Sequence, residues 1–282
     1  MRRTTTGLAM ALALALAATA VGCDDDDEDA AGTGTLAVDV FGEAFIEEGI
    51  PAGTAGCDGC VEDGWAITFD RFLIVVQDIE VRGAETVAAP EARVFDLAKP
   101  SSGGGHRVFD RAAAAGTYDA LDYRVAPSRE PAVGNATTDD VALMAAEGYS
   151  IYVEGRAEKD GTTLTFNWGF DTDTRYTACE TQATVADGGT GRSQLTIHAD
   201  HLLYDDLDSE TPQVVFGLIA SADADGDGAI TPAELAAVDI TGETRYQVGS
   251  RDITDLWGFV RAQAHTVGHI DGEGHCDFQP AE

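Results

Sequence analysis

Positive charge is scarce in this chain. Over 282 residues, 17 Lys and Arg stand against 50 Asp and Glu, a formal net charge of −33. So negative a surface repels nucleic acid and anionic lipid headgroups, which excludes both as partners, and it attracts cations. Long apolar runs are also few: beyond the N-terminus, no segment is apolar for long enough to cross a bilayer as a helix. The signatures of common catalysts are missing too. There is no GxSxG elbow, Walker A loop, dinucleotide fingerprint or HExxH helix. The one Ser-rich stretch, SSGGGH at residues 101–106, has the composition of a loop, and with fifty acidic residues a pair of carboxylates carries no information. These absences leave a binding protein rather than an enzyme.

What is present begins with MRRTTTGLAMALALALAATAVGC. Arg2 and Arg3 precede an apolar run over residues 8–18 and then small residues, which is the grammar of a secretory signal peptide over residues 1–22. The ending AVGC resembles the lipobox of bacterial lipoproteins. That resemblance implies cleavage before Cys23, lipid attached to its thiol, and a membrane reached only through the lipid anchor. Cleavage leaves 260 residues and removes Arg2 and Arg3, so the net charge goes from −33 to −35. DDDDED follows at residues 24–29, and residues 23–34 read as an acidic tether. The run resembles acidic tags that route some bacterial lipoproteins to the cell surface, although in enteric bacteria an Asp after the lipidated Cys goes with inner-membrane retention. The expectation is a bacterial envelope protein, at the outer membrane or cell surface ahead of the inner membrane.

Four further cysteines, Cys57, Cys60, Cys179 and Cys276, are an even number for an oxidising compartment, and three pairings are open to them. Cys57–Cys60 with Cys179–Cys276 is the favoured one. CDGC could also be a redox motif or half of a zinc knuckle. Its surroundings, TAGCDGCVEDGW, are a Gly- and Asp-rich loop rather than the helix start that activates a redox thiol.

The fold expected is mainly β: an antiparallel β-sandwich with a C-terminal α-helical portion carrying one EF-hand-like loop. TLAVDVF, WAITFDRFLIVVQDIEV, ARVFDL and GTYDALDYRVA alternate or are β-branched and are separated by Gly, Ser and Pro. Their order resembles that of uncharacterised β-sandwich domains of envelope lipoproteins, which implies a fold and no activity. Residues 35–131 form that domain, and a boundary is expected at AVGNATTDD, residues 132–140. The region 140–282 opens with a hairpin turning on Asp160-Gly161. SQLTIHADHLLY is read as a further strand. Helices are expected over residues 209–222, capped by Thr211 with Pro212 first, and over residues 252–267, stopped at Gly268.

The sharpest motif is DADGDGAITPAE, residues 223–234. Ca²⁺ wants six to eight oxygens. Asp223, Asp225 and Asp227 alternate, Gly228 allows a sharp turn, Ala229 offers a carbonyl, Thr231 holds a water and Glu234 closes with two oxygens. The stretch resembles an EF-hand loop at every diagnostic place, which implies Ca²⁺ as cofactor. TPAE alone would also serve as a capping box, but a cap does not explain three alternating aspartates before a glycine. No partner loop is found and the helix after it is short, so the site reads as structural rather than sensory.

The rival reading uses histidine. His198, His201, His265, His269 and His275 lie in the last third of the chain and could bind copper or zinc. On a continuous strand His198 and His201 would point to opposite faces, and Gly268 could end a helix between His265 and His269. The blander account is a set of polar strand-end and loop histidines. A protein or glycan partner is not identifiable from the sequence.

Overall fold

The computed structural model describes residues 32–280. The signal peptide read over residues 1–22, Cys23 and most of the acidic tether lie outside them. Residues 33–34, expected in the tether, already belong to the first strand.

Fourteen strands and five short helices follow one another in these residues. The described chain opens with β1 (Thr33–Phe41), α1 (Glu43–Glu47), β2 (Ala66–Gly83), β3 (Thr86–Ala89), β4 (Arg93–Asp96), β5 (His106–Ala114), β6 (Gly116–Val125) and β7 (Ala132–Val133). After α2 (Thr138–Glu147) come β8 (Ile151–Lys159), β9 (Thr162–Phe170), β10 (Thr174–Val185) and β11 (Thr190–Ile197). The C-terminal stretch holds α3 (Gly217–Ala220), β12 (Ala229–Ile230), α4 (Pro232–Ala236), α5 (Leu256–Gln263), β13 (Gly268–Ile270) and β14 (Asp277–Pro280).

The strands form two sheets. One has the order β13-β11-β1-β5; the path of the other is β12-β9-β8-β2-β6-β10-β14, with β3, β4 and β7 attached to it. Alternation explains the buried faces. Leu36, Val38 and Val40 of β1 and Phe72, Ile74 and Val76 of β2 enter one continuous core with Leu195, Phe216 and Phe259. The opposite face of β2 is covered separately: Leu73, Val75 and Val94 pack with Ala136 and Met144 of the α2 region. The sheets are mixed rather than purely antiparallel, because β1 pairs β11, β4 pairs β7 and β12 pairs β9 in parallel.

The hairpin expected at Asp160-Gly161 is there: β8 pairs β9 in register, and the two turn residues have φ of 49° and 83°. Both favoured disulfides are present, Cys57–Cys60 and Cys179–Cys276. The boundary expected at residues 132–140 does not divide the fold. Those residues carry β7 and the capping box of Thr137 and Asp140, and β2 pairs with β8 across them within one compact unit. The helix expected over residues 209–222 shrinks to α3, with Thr211 and Pro212 outside it. The one over residues 252–267 shrinks to α5, capped by Asp255, and Gly268 begins β13 instead of ending a helix. No helix among the described residues is long and apolar enough to cross a membrane.

Candidate metal centre

The strand β11 stops at Ile197, one residue before His198. Its continuation curls into a single 3-10 turn over Asp200–Leu203. That turn reverses the expectation for HADH. A strand would send His198 and His201 to opposite faces, but the turn swings His201 back until its ring centroid is 5.4 Å from that of His198. The third ring arrives from β13, which pairs with β11 so that His269 stands opposite Thr196. His269 is 4.2 Å from His198 and 5.0 Å from His201, centroid to centroid. One ring nitrogen from each of the three can be chosen so that all lie within 4.8 Å of one another.

β13 is held where it is by close packing. A Cβ built on Gly268 would stand 2.3 Å from the Tyr123 hydroxyl and 2.4 Å from the Tyr176 ring, so only glycine lets this edge approach. The Tyr123 hydroxyl then donates to the His269 carbonyl at 3.2 Å.

The three rings differ in their partners. His201 Nδ1 is 2.8 Å from the Thr266 hydroxyl, which itself donates to the Gln263 carbonyl at 2.9 Å. His269 Nδ1 is buried with no hydrogen-bond partner. His198 Nε2 has a long contact of 3.4 Å to the Gly272 carbonyl and lies 3.8 Å from Glu43 Oε2. Burial, reinforced by the neighbouring His198 imidazole, pushes both His201 and His269 down to about 3, so both rings are neutral at ordinary pH. Neutral imidazoles whose free nitrogens converge are what a transition metal binds.

The other two histidines diverge. His275 stands at the rim, 5.5 Å from His269 by centroid. His265 is elsewhere: α5 ends at Gln263, and His265 Nδ1 is 2.7 Å from the Thr174 hydroxyl. It therefore drops out of the cluster, and the helical i, i+4 spacing with His269 never forms. A cavity of about 340 Å³ opens onto His201 and His269 and is also lined by Tyr204, Glu273 and His275.

Acidic groups surround the rings, and sequence reasoning missed them. Phe41 stands opposite Thr196 in the parallel pairing of β1 with β11. Continuing that register by two residues sets Glu43 beside His198. Carboxylate oxygens of Glu43 and Glu273 and a nitrogen of His198 form a second group within 4.8 Å. Glu43 has φ of 56°, uncommon for a side chain other than Gly or Asn. Burial raises the Glu43 and Asp200 carboxyls above the usual range.

The acidic loop forms a separate group next to β12, in the other sheet. Oxygens of Asp223, Asp225 and Glu234 converge within 4.8 Å. Asp227 is turned aside and accepts from the Ala229 N–H at 2.7 Å. Asp223 accepts from the N–H groups of Gly226 and Gly228 at 3.0 and 3.2 Å, and Gly228 takes φ of 83° to make the turn. Glu234 faces two ways: Oε1 accepts from the Ala224 N–H at 3.2 Å, and Oε2 accepts from Thr231 N–H at 2.9 Å and its hydroxyl at 2.8 Å. Those Thr231 donors hold its carboxyl below the usual range. The flanking helices have four and five residues. In place of a second loop, β12 pairs with β9, Thr165 N–H donates to the Gly228 carbonyl at 2.8 Å, and Trp168 Nε1 donates to the Ile230 carbonyl at 3.0 Å.

No family model matches this chain, and no curated protein is similar to it. Among solved structures, MbnP from Methylosinus trichosporium is similar at 13% identity over 71% of this chain and 94% of that chain, with a TM-score of 0.31. A superposition at that score does not define a shared fold.

Proposed function

We propose that this chain is a metal-binding protein of the bacterial envelope whose working ion is a transition metal of the copper or zinc class, held by His198, His201 and His269. The observation that carries this reading is the convergence of three imidazoles from β11's end, the 3-10 turn and β13, with His269 Nδ1 buried and unpartnered. Leaving a buried nitrogen without a partner costs about 1–3 kcal/mol, a cost that a bound cation removes. Three protein nitrogens beside an open cavity match the metal sites that keep one position free for an exchangeable ligand. The test is the metal content of protein purified without chelator: copper or zinc should accompany the parent and be lost from His269→Ala.

A second ion has its own supporting observation. The convergence of Asp223, Asp225 and Glu234 favours Ca²⁺ at residues 223–234, in an EF-hand-type loop. β9, rather than a second hand, steadies that loop, which suits a structural site and offers no groove-opening helix pair. The N-terminal lipobox and acidic run add an anchor at Cys23 and a place at the outer membrane or cell surface.

A further inference from the structure

Six aspartates are buried among the described residues. Five of them face a basic side chain: Asp39 meets Arg107, Asp96 meets Lys99, Asp122 meets Arg82, Asp140 meets Arg71 and Asp205 meets Arg245. With so few cations in the chain, this is a consistent use of them. Asp200, 7% exposed, breaks the pattern. Its Oδ2 accepts from the Tyr204 hydroxyl at 2.8 Å, while Oδ1 is buried with no hydrogen-bond partner. Glu43 and Glu273 stand around the same histidine and, among the described residues, neither forms an ion pair with Lys or Arg; the one ionic partner within reach is His198, 3.8 Å from Glu43. Three carboxyl groups sharing one space without a cation repel one another. The missing positive charge is therefore local to this corner.

The two ligand groups there have one member in common. His198 belongs to the nitrogen set with His201 and His269, and to the mixed set with Glu43 and Glu273. An imidazole has two nitrogens on different edges of the ring and can serve one cation with each. We propose that Glu43, Glu273 and His198 hold a second divalent cation beside the three-histidine position, with His198 bridging the two. The bridge forms when the His198 ring gives up its N–H proton to solvent and each nitrogen donates a pair to one cation. Asp200, buried with Oδ1 unpartnered, adds a third carboxyl to the same corner. This inference rests on the histidine reading above, since it shares a ligand with it.

The test uses full mature protein freed of metal, with excess Ca²⁺ to fill the 223–234 loop, titrated with Zn²⁺ and assayed for zinc per chain after gel filtration. Two equivalents are expected for the parent. Glu43→Gln and Glu273→Gln should each retain one. Glu273 is exposed, so Glu273→Gln is decisive even if the Glu43 variant fails to fold. With Cu²⁺ as probe, the electron paramagnetic signal should grow to one equivalent and fall toward two, as the bridged ions couple. One zinc in the parent, removed by His269→Ala and unaltered in Glu273→Gln, overturns the second position and leaves the histidine site standing. Two zinc ions in Glu273→Gln also overturn it. No zinc and no copper in the parent overturns both.

Discussion

The Thr266 hydroxyl donates to the Gln263 carbonyl at 2.9 Å and can therefore only accept from His201 Nδ1, 2.8 Å away. A hydroxyl has one proton, so the contact assigns the Nδ1–H tautomer to His201 and leaves Nε2 with its lone pair for a metal. Supporting hydrogen bonds of this kind set both the ring's orientation and its basicity.

Thr266→Val keeps the shape and removes the acceptor. Zinc affinity should fall about 10- to 100-fold, the range found when such supporting partners are lost. Isothermal titration against the parent measures it. An unchanged affinity would mean that Thr266 does not orient the ring.

Metal-free protein should show His201 and His269 neutral at pH 5. The ordinary value is 6.5, and both are pushed down to about 3 in the fold. An unfolded chain takes up protons at these rings as pH drops below 6.5, whereas the folded chain does so only near 3. Their contribution to stability is thus fully present above 6.5 and is lost as pH falls toward 3. Asp200 and Glu43, both raised, act in the opposite sense, so the rings are best followed directly by imidazole nitrogen and carbon resonances. Titration of both rings close to 6.5 would show that they are not desolvated.

Calcium should raise the thermal midpoint of the parent. An ion that binds only the folded state stabilises it by RT ln(1 + [Ca²⁺]/Kd), about 2.7 kcal/mol at a hundredfold excess over Kd. Glu234→Gln removes charge from the group formed with Asp223 and Asp225, yet Gln can still serve the cap on α4. The calcium shift should shrink strongly while the calcium-free midpoint stays near that of the parent. An undiminished shift would reduce the loop to a capped acidic turn.

Much of the fold was legible in local chemistry. Asp160-Gly161 between alternating runs marks its own hairpin, and the four cysteines paired as the loop composition of CDGC suggested. The strand β10 is less legible: TRYTACETQATV alternates buried and exposed, but Thr174 and Thr181 on its inner side lower its hydropathy. α2 hid in a stretch whose small polar residues resemble a linker, although Thr137 and Asp140 form a capping box. Of the sites, the aspartates of the 223–234 loop could be seen because one contiguous segment carries them. The five C-terminal histidines could be named as candidates, but not which three converge, because that depends on where β11 stops, on the 3-10 turn after it and on the pairing of β13. Glu43 belongs there only through the parallel register of β1 with β11, which no local pattern encodes.

Cys23→Ser should release the protein in soluble form, because the thiol that would carry lipid is gone. Membrane fractionation of expressing cells checks it. A variant that still sediments with membranes would contradict the lipid anchor.

The most direct measurement is X-ray absorption fine structure at the zinc edge, on calcium-saturated protein loaded with one equivalent of zinc. The expected first shell contains three imidazole nitrogens, with the outer-ring scattering that identifies histidine, and both features should weaken in His269→Ala. A shell of oxygens alone, with no imidazole scattering in the parent, would contradict a centre built from His198, His201 and His269.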